Sequence, residues 1–176
     1  MSILIGGVGY TLLRDMSFGP ILIEKLSRLR RDELPVPQGE IEIEDVSYSP
    51  IAVVHKFIDH KYDKVVFIAA VKRGREPGTI VNYRPEETLP DELEIRNRIN
   101  EAVTGTISLD NLLVTCRFNK ALPEDVVVIE VEPQDDTWGL EFSPVVEQAV
   151  DKVIEMVKAE ITVFSQGRPA EYGKKQ

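Results

Sequence analysis

One cysteine, Cys116, in 176 residues excludes an intrachain disulfide and any centre built from several thiolates, such as a multi-cysteine zinc or iron-sulfur site. It sits in the apolar segment LLVTCRF, where a buried, inert thiol is expected. Histidine is scarce too. His55 and His60 lie five apart on a predicted helix, whereas two imidazoles share one helix face for a metal when they are four apart. Asp59 beside His60 reads as surface solvation rather than an acid-base pair. No G-x-S-x-G elbow is present for a serine nucleophile. No apolar run approaches the roughly 20 residues of a membrane span, and no basic region with a cleavage site reads as a signal peptide. Positive charge is in deficit, with 21 Lys and Arg against 30 Asp and Glu for a net −9, so the clustered cations that neutralise nucleic-acid phosphates are missing. A cytoplasmic protein with no nucleic-acid partner and no membrane partner is the expectation.

What is present has the balance of a globular domain, 43% hydrophobic and 29% charged. A single domain is predicted over 1–164, followed by an aperiodic, polar tail at 165–176 that is expected to be flexible. Ile3 to Ile5 reads as a buried strand ended by Gly6, Gly7 and Gly9. Pro20 opens a helix carrying Ile21, Leu22, Leu26 and Leu29 at helical spacing, and Arg28, Arg30 and Arg31 at its end face the negative pole of the dipole. Ile41 and Ile43 alternate as in a strand. Pro50 starts a second helix with Ile51, Val54, Phe57 and Ile58 on one side. KVVFIAAV, 64–71, is the continuous apolar run of a central strand covered on both faces.

TIVNY is a short extended segment, and a helix-compatible stretch runs from Pro90 to Ala102. Ser108 caps a helix through SLDNLLVTCRF. VVVIEV, 126–131, is another buried strand. The run SPVVEQAVDKVIEMVKAEI predicts one long helix with Ser143 as cap, Pro144 at its first position, and Val146, Ala149, Val150, Val153 and Val157 on one face. Strands alternating with helices imply right-handed crossovers and a mostly parallel, three-layer α/β sheet, with sites beyond the carboxyl ends of the strands.

The glycine-rich loop after the first strand fails as a dinucleotide cradle. G-x-G-x-x-G must open directly into a helix, but Leu12 stands where the third glycine belongs, and Asp15 puts an acid where a phosphate would sit. The same stretch, IGGVGYTLLRDMSFG, resembles the N-terminal motif of the nickel-iron hydrogenase maturation endopeptidases, G-x-G-N followed by apolar residues and two acids. GREPGT after the central strand is similar to that family's P-G-T turn. VIEVEPQDDTWGLEFSPVVEQAV resembles its closing strand and W-G-L-x-L-S-P-x-V helix start. Together these span residues 3 to about 161 in the family's order.

The resemblance implies a five-stranded α/β/α sandwich that trims a C-terminal extension from a hydrogenase large subunit after nickel insertion. It also implies nickel recognition by the second acid of the first loop, an aspartate ending the central strand, and a later histidine. Carried across residue by residue, those ligand positions fall on Met16, Ala69 and Gly105, and the asparagine position on Tyr10. Alanine and glycine offer no donor, and a thioether is a soft replacement for a carboxylate. Lys72, which stands where another acid is common, and Arg73 make the rim cationic, which opposes a divalent ion.

No metal and no cofactor are therefore expected. The reading is a noncatalytic relative that binds a hydrogenase large subunit or a similar precursor protein. One alternative is an active endopeptidase that uses Asp15 as its catalytic acid with displaced ligands. The second is a small-anion binder using Lys72 and Arg73. Tyr10, Lys72 and Arg73 are the candidate binding residues. Asp135 and Asp136 read as a solvated loop, and Trp138 as an anchor of that loop to the core.

Overall fold

Five strands, β1 (Ser2–Val8), β2 (Glu40–Asp45), β3 (Lys64–Ala70), β4 (Ile80–Tyr83) and β5 (Asp125–Val131), form one sheet in the order β2-β1-β3-β5-β4. The computed structural model describes residues 2–29, 34 and 40–166; the basic pair Arg30 and Arg31, most of the LPVPQG loop and the predicted tail from 167 onward lie outside them. Every strand pairing is parallel except that of β4 with β5. The apolar run KVVFIAAV supplies the middle strand, β3, which is buried at every residue.

The helices are α1 (Phe18–Ser27), α2 (Pro50–Asp59), α3 (Glu92–Val103), α4 (Leu109–Phe118), α5 (Pro144–Glu147) and α6 (Ala149–Ser165). α1 and α6 bury Leu22, Leu26, Val153 and Val157 against Ile3, Ile5, Val66 and Ile129 on one face of the sheet. On the other face α2 and α4 bury Val53, Phe57, Leu112 and Cys116 against Leu4, Val65, Phe67 and Val128. Alternate residues of each strand thus feed two cores, which gives the expected α/β/α sandwich. Ser108 caps α4 as predicted, its Oγ accepting from the Asn111 amide at 3.1 Å. Among the described residues no helix is long and apolar enough to cross a membrane.

Several expectations are corrected. Gly6 and Gly7 do not end the first strand but lie within β1, and α1 begins at Phe18 rather than at Pro20. The reason is close approach. A Cβ on Gly19 would stand 2.5 Å from the backbone N and O of Val8 and 2.6 Å from the Ile68 carbonyl, and one on Gly7 would stand 2.6 Å from the Gly19 carbonyl. The first turn of α1 therefore rests directly on the backbones of β1 and β3, a contact open only to residues without a side chain. Gly19→Ala is expected to cost about 2 kcal/mol or more by overpacking. In a domain of this size that lowers the melting temperature by roughly 4–8 °C, and an unchanged melting curve would contradict the account.

The long C-terminal helix is divided at Gln148 into α5 and α6. Its predicted face is correct, since Val146, Ala149, Val150, Val153 and Val157 are all buried. Ser143 makes no side-chain cap bond, because its hydroxyl points to Asp15 instead. On α2 the buried residues are Pro50, Val53, Val54 and Phe57, while Ile51 and Ile58 face solvent. Trp138 is 76% exposed and does not anchor its loop to the core. Backbone bonds do that, from Arg14 N to the Gly139 carbonyl at 3.1 Å and from Gly139 N to the Leu12 carbonyl at 3.0 Å.

Candidate functional site

At the carboxyl edge of the sheet β1 and β3 end side by side, with Val8 paired to Ala69. The loops that follow them, with the entry to α4, enclose a pocket of about 160 Å³ lined by Tyr10, Met16, Ala69, Val71, Lys72, Ile107 and Asp110 among others. The loop after β1 is shaped by its own polar groups. Tyr10 N donates to the Met16 carbonyl at 3.0 Å, and Ser17 Oγ donates to the Tyr10 carbonyl at 2.6 Å while accepting from Leu13 N at 3.1 Å. Tyr10 Oη accepts from the Ile107 amide at 2.9 Å and so ties this loop to the approach to α4. The sequence candidates Tyr10, Met16, Ala69 and Lys72 thus share one cavity. Gly105 borders an adjacent cleft of about 180 Å³ that also touches Ile107, and its φ of +86° is a left-handed conformation that favours glycine.

Asp15 lies elsewhere. It is fully buried and does not line the pocket. Its Oδ1 accepts from Ser143 N at 2.7 Å, and its Oδ2 accepts from Gln134 N, Asp135 N and Ser143 Oγ, each at 2.8 Å. The carboxylate clasps the loop after β1 to the loop after β5, satisfying donors that no regular element pairs.

Lys72 and Arg73 diverge. Lys72 Nζ meets Asp136 Oδ2 at 2.5 Å with both side chains about half exposed, and that bond holds the Asp136 carboxyl below the ordinary range. Arg73 does not line the pocket. Its two terminal nitrogens form a fork with Asp110 at 2.8 and 2.7 Å, and Nη2 also reaches Glu130 Oε1 at 2.7 Å. Arg75 adds a second guanidinium on Glu130 at 3.1 Å, and the Tyr83 hydroxyl donates to the same carboxylate. Glu132 accepts from the amides of Arg73 and Gly74, which fixes the turn.

Glu130 is fully buried. Burial pushes its pKa up, but the bonds from Arg73 and Tyr83 outweigh this and hold it below the usual glutamate range. The same contacts act in reverse on their partners. Bonding to Asp110 and Glu130 keeps Arg73 charged despite its burial. Burial and the bond to Glu130 push the Tyr83 phenol above its ordinary value.

This network was missed in the sequence, although VVVIEV carried the signal. A lone acid in an otherwise apolar central strand needs a buried partner, and KRGR is the basic segment that supplies it. The register sets Glu130 beside Ala69 across β3 and β5. An acid thus stands next to Ala69 at the end of β3, already neutralised by two guanidiniums.

The pocket does not fit a hard or borderline divalent ion. Its walls present a thioether, methyl groups and an ammonium, and its carboxylate, Asp110, has both oxygens on Arg73. Among the described residues no three His, Cys, Asp or Glu side chains come together in a way that could hold a metal. His55 and His60 are exposed on and just after α2. Cys116 is buried in the core, and burial pushes its thiol up to about 12, so it stays protonated and inert. Asp135 accepts from Thr137, which holds its carboxyl low, and sits 3.4 Å from Arg14.

The sequence model of the hydrogenase maturation protease family matches residues 22–160. No curated protein matches the chain by sequence. Among solved structures, the hydrogenase maturating endopeptidase HybD from E. coli is similar with a TM-score of 0.68 and 24% identity, covering 92% of this chain and 93% of that one. The hydrogenase 2 maturation peptidase from a Thaumarchaeota archaeon aligns with a TM-score of 0.64 and 24% identity over 93% of this chain and 99% of its own. The [NiFe] hydrogenase maturation protease HycI from Thermococcus kodakarensis gives 0.65 and 23%, covering 92% of both chains. At these identities the structures speak for the shared fold. The family match spans most of the residues, including the loop after β3 and the entry to α4 that line the pocket, and on that ground this chain belongs to the hydrogenase maturation protease family.

Proposed function

We propose that this chain is a noncatalytic member of its family that binds a hydrogenase large subunit, or a related metalloprotein precursor, without cutting it. The observation that carries this reading is the pocket at the carboxyl edge. Where the family resemblance implies oxygen and imidazole donors for the nickel of the substrate, the wall carries Met16 and Ala69, and Gly105 stands outside it. None of the three nearest acids in the fold, Asp15, Asp110 and Glu130, is available to replace them. Asp15 is consumed as a clasp between two loops, and Asp110 and Glu130 are consumed by arginine. An anion at Lys72 and Arg73 would have to displace carboxylates already in place, so the small-anion reading gains no support from this edge.

Leu12, Trp138 and Leu140 are exposed on the loops after β1 and β5, which Arg14, Gly139 and Asp15 tie together. Exposed large apolar side chains on neighbouring loops suit contact with another polypeptide. Incubation of the protein with a nickel-loaded large-subunit precursor is expected to give a complex that co-elutes on gel filtration, with the precursor's mass unchanged. Appearance of mature-length product would overturn the noncatalytic reading, and absence of any complex would overturn the binding reading.

A further inference from the structure

Four side chains in the wall of the carboxyl-edge pocket are polar, and each already has a partner within the protein. Tyr10 Oη accepts from the Ile107 amide, and Ser108 Oγ accepts from the Asn111 amide as the cap of α4. Lys72 pairs with Asp136, and Asp110 lies with both oxygens on Arg73. The two charged members have opposite signs and are both paired, so the wall carries no net charge that would draw an ion of either sign.

The rest of the wall is apolar and includes Met16, Ala69, Val71, Ile107 and Leu109. Met16, Val71 and Ile107 are only half-buried. A body in the pocket therefore touches side chains that water already reaches. Water against such a surface finds few groups to bond, and its release favours an apolar occupant.

Volume sets the size of that occupant. Sites for whole cofactors or drug-sized molecules span roughly 300–1,000 Å³. This pocket has about 160 Å³, close to the roughly 150 Å³ of an apolar cavity that takes one benzene. One large apolar side chain fits that space. The half-buried wall leaves the mouth open, so the rest of such a chain can stay outside, and the flexible thioether of Met16 adapts to the shape that enters.

We infer that this pocket receives one neutral, apolar side chain of the precursor polypeptide, so that the partner is anchored here by hydrophobic contact and not through its metal. Met16, Val71 and Ile107 select the side chain. The inference rests on the binding reading above and names the chemistry by which that binding occurs.

The test has two arms. In the first, benzene, benzoate and benzylammonium are each titrated into protein carrying isotope-labelled methionine, valine and isoleucine methyl groups. Benzene is expected to give saturable shifts at the methyls of Met16, Val71 and Ile107, with both charged rings at least about tenfold weaker because their charge must be desolvated. In the second arm, the nickel-loaded large-subunit precursor is bound to the parent and to two variants. Met16→Gln keeps the length of the side chain but puts an amide in the wall, and is expected to weaken benzene and the precursor alike by about fivefold to tenfold. Val71→Phe fills the pocket from its half-buried mouth, is expected to act in the same direction, and decides the matter if Met16→Gln does not fold. Lack of saturable benzene shifts, a charged ring binding as tightly as benzene, or a precursor complex indifferent to both folded variants would overturn the inference alone. A parent that binds benzene but forms no precursor complex would overturn the binding reading, and the proposed occupant with it.

Discussion

Replacing Asp15 by alanine is expected to remove about 3–5 kcal/mol of folding stability, the range seen when one member of a buried, charge-assisted network is deleted. Four donors converge on this carboxylate, three of them backbone amides of the loop after β5. Alanine leaves all four without a partner, in a place where Asp15 itself excludes water. Asp15→Asn tests the same geometry more gently. Its amide nitrogen must take the place of one oxygen and face an N–H, so a loss of about 1–3 kcal/mol is expected. Urea unfolding followed by circular dichroism measures both, with Asp136→Ala as an exposed control that should change little. If Asp15→Ala unfolded at nearly the same urea concentration as the parent, the clasp would be refuted and the carboxylate would return as a candidate for chemistry.

Arg73→Met is expected to be destabilising by about 2–4 kcal/mol, somewhat below the full cost of orphaning a buried charge, because Arg75 and Tyr83 stay on Glu130. The loss should depend on pH. Glu130 has a folded pKa below its unfolded one. It therefore contributes stability that is fully present above the unfolded value of roughly 4.3 and is lost as pH falls through the lower folded value. Without Arg73 that depression shrinks, so acid unfolding of the variant should begin at a higher pH than in the parent. Arg73→Lys should fall between the two, since one ammonium cannot reproduce the planar fork that spans Asp110 and Glu130. Identical acid midpoints for parent and Arg73→Met would remove Glu130 from the account.

Much of this architecture is legible in the order of residues. The continuous apolar run at 64–71 could only be a strand covered on both faces, and it became the middle of the sheet. Ser108 announced its cap and Pro50 its helix start, because capping and proline geometry are local effects that neighbours a few residues away decide. That Met16 and Ala69 carry no carboxylate was equally readable, since a methionine or alanine side chain cannot supply one in any fold. Local rules failed where the decisive partner was distant in sequence. Ser143 reads as a cap until Asp15, 128 residues away, takes its hydroxyl. Gly7 reads as the end of a strand, and Gly19 as lying ahead of a helix opened by Pro20, until the strand and helix they belong to are pressed together.

By itself, then, the sequence determined the α/β class, the two-faced central strand and the lack of any oxygen or imidazole donor in the side chains of Met16, Ala69 and Gly105. These follow from side-chain chemistry and short-range periodicity. Only the tertiary structure decided what the remaining charges do. Asp15 became a buried clasp, and Arg73 turned to Asp110 and Glu130. A charged group's role is set by which opposite charges and donors meet it out of reach of water, and that depends on contacts between residues far apart in the chain.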